Sequence, residues 1–199
     1  MTYNYDKIMQ KIINEQEGRS EKPTLLLHCC CAPCFSGCFD KLIDAFKVTA
    51  YFYNPNMDSE AEYVMRAKEL ERLCNELGIS CIIEKYNPSE FYGEVVGLEN
   101  LPEGDKRCEN CFNIRLAKTA KEAKKKGYDF FATTLTVSPL KSASKINAVG
   151  ENISQKFGVE YLPSDFKKRS GYQNSIIMSK KYGLYRQNYC GCLFSKPKS

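Results

Sequence analysis

Phosphate-binding loops are missing from this chain. It holds no GxxxxGK[ST], no GxGxxG and no Ser-Gly-Gly-x-Asp-Ser segment after its first apolar run, so ATP and dinucleotide chemistry lose their usual sequence support. Long apolar runs are missing too. None approaches the ~18 residues that a membrane span requires, which predicts no membrane partner. The opening residues Met1 to Lys7 carry an acid and no apolar stretch, unlike a secretory signal, so a cytoplasmic protein is expected. With no internal repeat, low-complexity tract or interdomain linker, the 199 residues are expected to form one domain over 1–199.

Cysteine is what the chain has in excess. Nine of its eleven cysteines fall in three groups: Cys29, Cys30, Cys31 and Cys34 with Cys38, then Cys108 and Cys111, then Cys190 and Cys192. In a reducing cytosol such a count points to metal or redox chemistry rather than to structural disulfides. The number is also odd, and adjacent cysteines such as Cys29, Cys30 and Cys31 form disulfides with one another poorly. Charge adds less. The excess of 29 Lys+Arg over 24 Asp+Glu permits a polyanionic partner without demanding one, and the clusters at Lys121–Lys126, Lys167–Arg169 and Lys180–Lys181 read as solvated surface.

Periodicity places these groups. Ile8/Ile12 and Met9/Ile13 repeat at helical spacing, and Thr24 to His28 is a short apolar run suited to a buried strand, with the first cysteines directly after it. Helices are then predicted over Gly37–Phe46, Asp58–Leu77 with Asp58 as N-cap, and Glu109–Lys126 ending at Gly127. A further helix is predicted to open at Ser138-Pro139, and a last one spans Gln173–Tyr182. Strands are predicted over Val48–Tyr53, Ile79–Glu84, Tyr128–Thr133 and Val159–Leu162. This alternation predicts a mostly parallel, doubly wound α/β sheet, Rossmann-like but without a phosphate loop. Sites in such sheets form beyond the carboxyl ends of the strands, where the first cysteines and the Thr133–Ser138 segment both fall.

The spacing leaves the metal open. Cys108 and Cys111 with two thiolates from the first group would make a tetrahedral zinc site, the mark of a zinc-stapled RNA-binding module. A vicinal cysteine pair suits a [4Fe-4S] cube better, because neighbouring ligands can bind different irons. An iron–sulfur redox sensor or electron carrier would share that pattern. Cys190-Gly191-Cys192 can close a small, easily reduced disulfide and shuttle two electrons, or supply further ligands. His28, the only histidine, ends a strand beside the thiolates, where it could move a proton or orient a ligand. Cys74 and Cys81 read as small buried hydrophobes.

Four segments together carry a family resemblance: Leu27-His28-Cys29-Cys30-Cys31-Ala32-Pro33-Cys34, Tyr51 to Asn56 followed by Glu62-Tyr63, Arg107-Cys108-Glu109-Asn110-Cys111, and Tyr189-Cys190-Gly191-Cys192. In this order they resemble the QueH epoxyqueuosine reductases over nearly the whole chain. The resemblance implies an oxidoreductase of queuosine biosynthesis. It would act without cobalamin on tRNA with epoxyqueuosine at the wobble position, drawing electrons from an unnamed donor. It further implies a [4Fe-4S] cluster on Cys30, Cys31, Cys108 and Cys111, with Cys190 and Cys192 as a redox-active disulfide in a tail packed at the metal site. Cys34 would ligate a second, mononuclear iron, and His28 remains a candidate proton donor. Arg107, Arg115, Lys141 and Lys145 are the expected contacts to the RNA backbone.

Overall fold

The computed structural model describes residues 3–196, so Met1 and Thr2 of the opening segment lie outside it. Five strands form one sheet: β1 (Thr24–His28), β2 (Lys47–Phe52), β3 (Ser80–Ile83), β4 (Phe130–Thr133) and β5 (Glu160–Tyr161). Their order is β3-β2-β1-β4-β5, and every pairing is parallel. The chain runs outward from β1 through β2 to β3, then crosses back to build β4 and β5 on the other side. Such a reversal opens a crevice at the carboxyl ends of the two central strands, where His28 of β1 stands in register with Thr133 of β4. The expected α/β architecture is thus present.

Alternation along β1 sends its side chains into two cores. Leu25, Leu27 and Cys29 pack on one face with Phe35, Phe46, Leu70 and Cys74. Leu26 and Cys30 pack on the other with Leu116, Phe131 and Ile146. Helices cover both faces: α1 (Tyr5–Gln16), α2 (Ala32–Ser36), α3 (Glu60–Leu77), α4 (Ser89–Tyr92), α5 (Lys106–Lys126), α6 (Ala143–Phe157) and α7 (Tyr172–Lys181). Among the described residues no helix is long and apolar enough to cross a membrane.

Helix starts differ from the sequence expectation at α2, α3, α5 and α6. The helix expected over Gly37–Phe46 is instead α2, which begins at Ala32, followed by a 3-10 turn over Phe39–Lys41. Pro33 sets the backbone for a first helical turn, so the helix begins inside the cysteine run. α3 is capped by Ser59, whose side chain accepts from Glu62 N, and Asp58 is left for another task. α5 opens at Lys106 under the cap of Asp105, so Cys108 and Cys111 occupy its first two turns on one face. Further along, Thr134–Val137 forms a 3-10 turn and α6 starts only after Ser142, which caps it in place of Ser138.

Candidate metal centre and thiol site

At the end of β1 the structure gathers Cys30, Cys31 and Cys34, whose sulfurs all lie within 4.8 Å of one another. α2 causes this convergence: the chain turns back immediately after Cys31, the N-cap position, and returns Cys34 on the first helical turn. Cys30 Sγ stands 3.8 Å from Cys31 Sγ and 3.5 Å from Thr134 Oγ1, and its backbone N–H donates to the same hydroxyl. Hydrogen bonds from Cys31 and Cys34, helped by the Arg115 charge, hold the Cys30 thiol well below its ordinary range despite burial. The reciprocal contact pushes Cys31 up to about 12.

Cys108 and Cys111 fall outside that tight group of three. They line an adjoining cavity with Cys190, Cys192, Lys141 and Lys145. A larger cavity of about 360 Å³ is lined by Cys30, Cys31, Cys34, Cys190 and Lys141. Cys190 and Lys141 therefore stand between the two cavities. Burial opposes the charge on Lys141, but the thiols of Cys190 and Cys30 outweigh it and push its pKa up. Burial pushes the Cys111 thiol up to about 12 against the pull of Arg115.

Two of the expected RNA contacts are internal instead. Arg115 is fully buried: Nη2 donates to Asn54 Oδ1 at 2.6 Å, Nε to His28 Nε2 at 3.3 Å and Nη1 to Cys111 Sγ at 3.8 Å. Arg107 is buried as well, donating to the carbonyls of Leu98, Glu99 and Leu101 and lying 4.6 Å from the Phe194 ring centre. It braces the loop ahead of α5 against the tail, so it has no surface left for a phosphate. Lys145 is half-exposed and paired with Glu109 at 2.7 Å.

His28 is fully enclosed. Nδ1 lies 2.8 Å from Thr133 Oγ1, and Nε2 lies 3.2 Å from the Tyr53 carbonyl and 3.3 Å from Arg115 Nε. Desolvation, then Arg115, lower its pKa to about 3. It is a neutral hydrogen-bonded spacer between β4 and Arg115.

The tail is clamped by the segment after β2. Asp58 N–H donates to Gly191 O at 2.8 Å, while its carboxylate accepts from Tyr189 OH at 3.0 Å and Lys196 Nζ at 2.8 Å. Arg66, 1% exposed, donates through Nη1 to Cys190 O at 3.3 Å and through Nε to Glu62 at 2.6 Å, and lies under the Tyr189 ring. Among the described residues its Nη2 has no partner, nor do the amide atoms of fully buried Asn56. Gly191 has φ +115°, and a Cβ there would stand 2.6 Å from Met57 Sδ. Cys190 and Cys192 are free thiols.

Sequence reasoning missed Arg66 and the individual roles of Asn54 and Thr134, and misread Asp58, Arg107 and Arg115. One signal was available: Arg115 lies four residues after Cys111, hence on the same helical face.

The fold resembles that of the U34-tRNA thiolase NcsA from Methanococcus maripaludis, solved with its [4Fe-4S] cluster: TM-score 0.56, 14% identity, 96% of this chain and 68% of that one. At that identity the likeness concerns the fold alone. Sequence relatives are much nearer. The epoxyqueuosine reductase QueH of Staphylococcus epidermidis is 41% identical over 98% of this chain and 85% of the relative, and that of Thermotoga maritima is 39% identical over 86% and 90%. The family described as epoxyqueuosine reductase QueH matches residues 25–198. The chain therefore belongs to the QueH family of epoxyqueuosine reductases, which are oxidoreductases.

Proposed function

We propose that the chain removes the epoxide oxygen from epoxyqueuosine in tRNA, using thiols gathered at the carboxyl ends of β1 and β4. The observation that carries this reading is the convergence of Cys30, Cys31, Cys34 and Cys190 on one cavity of about 360 Å³, within the range of small-molecule sites. Both C–O bonds of the epoxide break, a carbon–carbon double bond forms, and the oxygen leaves as water. The change takes up two electrons and two protons. Oxidation of the Cys190/Cys192 dithiol to a disulfide yields that same number of each, after which an external reductant must restore the dithiol.

A [4Fe-4S] cluster fits the donor set, which is all thiol and faces the cationic Arg115, Arg66 and Lys141. Cys30, Cys31, Cys108 and Cys111 would hold it. When bound, it supplies one-electron chemistry beside the dithiol. Cys34, half-exposed to the same cavity, is the protein ligand left for a second iron. His28 acts by position: neutral and enclosed, it fixes Arg115 and is not the acid that protonates the oxygen. Lys141 and Lys145, which line the adjoining cavity, are the remaining candidates for contact with RNA phosphates.

Anaerobic purification followed by iron, sulfide and zinc analysis tests the centre, and a single-turnover assay on epoxyqueuosine-tRNA tests the chemistry. About four irons with a broad band near ~400 nm are expected, with turnover abolished in Cys190→Ser, Cys192→Ser. The 4.8 Å spacing of three thiols also suits a single ion. One zinc per chain, with no iron taken up on reconstitution, would therefore replace this reading by a structural-zinc one. Full single-turnover activity in the double serine variant would remove the dithiol from the scheme.

A further inference from the structure

Two buried guanidinium groups flank the thiol site from opposite helices, Arg66 on α3 and Arg115 on α5. Arginine stays charged in any protein environment. A buried charge is severely destabilising unless something of opposite sign compensates it. Among the described residues Arg115 has no carboxylate partner; its contacts are an amide oxygen, a neutral imidazole and the sulfur of Cys111. Arg66 does have Glu62, and the charges of Cys31 and Cys30 help to keep its pKa up against burial, yet among the described residues its buried Nη2 is unpaired. The polypeptide therefore sets beside the thiols one positive charge with no carboxylate to match it and one guanidinium with an unused hydrogen-bond donor. What completes both is a net anion that accepts hydrogen bonds.

We infer that Arg115 and Arg66 set the reduction potential of the thiolate-bound centre, Arg115 as its internal counter-charge and Arg66 as a hydrogen-bond donor. The inference rests on the proposed cluster. Adding an electron makes a thiolate-bound cluster more negative, and potentials of such clusters rise with nearby positive charge and with hydrogen bonds to sulfur. Neither arginine touches substrate in this scheme; both act through the centre. Arg66 has a second tie to the chemistry, because Nη1 holds the Cys190 carbonyl and so links the dithiol tail to the same guanidinium.

The test is a redox titration of the reconstituted chain, followed by its visible spectrum, in wild type, Arg115→Gln, Arg115→Lys and Arg66→Met. Arg115→Gln should titrate at a more negative potential, with Arg115→Lys returning most of the way to wild type. A purely structural role would not separate glutamine from lysine in that direction. Arg66→Met should shift the same way by a smaller amount, since Glu62 already offsets part of its charge. If Arg115→Gln fails to fold or to hold iron, Arg66→Met decides: an unchanged potential overturns the inference, and a negative shift supports it. Iron-loaded Arg115→Gln and Arg66→Met that both titrate with wild type overturn it alone. A wild-type chain that takes up no iron removes the centre itself, and the inference with it.

Discussion

Cys29 and Cys30 are neighbours in sequence and opposites in environment. Cys29 lies on the face packed by Phe35, Phe46 and Leu70; its S–H donates to Leu27 O at 3.2 Å, and burial holds its pKa well above the ordinary thiol range. Cys30, one residue on, turns to the other face, where Thr134, Cys31 and the Arg115 charge hold its pKa well below that range. The contrast extends outward: Cys38 and Cys74 share the apolar face with Cys29, whereas Cys34, Cys111, Cys190 and Cys192 line the two cavities. A thiol's task in this molecule follows from the side of the sheet it lands on, which a period of two along β1 decides.

The sharpest way to break the contrast is to exchange its two ends. Cys30→Ser should lose the metal by more than the ~10–100-fold that removal of an outer-shell partner causes, read as iron per chain after reconstitution. Cys29→Ala should keep wild-type iron and lose only packing, about 1 kcal/mol or ~2–4 °C in Tm. Equal iron loss in both would mean that the two faces are not functionally distinct.

A smaller effect is expected at the tail. Gly191→Ala meets Met57 Sδ at 2.6 Å and places a side chain at φ +115°. That conformation costs about 1–3 kcal/mol in a non-glycine residue. The tail should then detach from Asp58 and Arg66 while the sheet stays intact. Amide exchange over residues 189–195 should quicken about tenfold, with exchange in β1 unchanged. Protection of the tail at wild-type level would show that the clamp does not depend on this backbone.

Much of this contrast was legible in the sequence. Hydrophobic periodicity placed β1, and the residues after it, at a strand's carboxyl end. Side chains alternate along a strand, so neighbouring cysteines at its end turn to opposite faces. What periodicity could not reach was the compensation of charge. Arg115 looks like any helical arginine in a basic protein until Asn54 from the loop after β2, His28 from β1 and Cys111 from its own helix close around it. Asp58 likewise satisfies the rules for an N-cap, and so does Ser59; the tail settles the choice by engaging Asp58. Long-range partners override local preference at the positions where the site is assembled.

The least disruptive test lies on the apolar face and needs no metal. Burial raises the Cys38 thiol well above its ordinary 9.0; Lys41 offsets part of this, and Asp40 adds to it. Above pH ~9 the unfolded chain releases this proton while the folded chain keeps it, so the folded state binds more protons and stability falls as pH rises. One such group lowers stability by about 1.4 kcal/mol per pH unit beyond 9. Cys38→Ala removes that slope at a packing loss of about 1 kcal/mol. The variant should therefore melt below wild type at pH 7, with the gap closing and the two curves meeting near pH ~10. Melting curves of the metal-free chain, kept reduced and without oxygen, read this directly. A gap that widens with pH would place an ionised thiol on the face where the structure puts a neutral one, and the distinction between the two sides of β1 would fall with it.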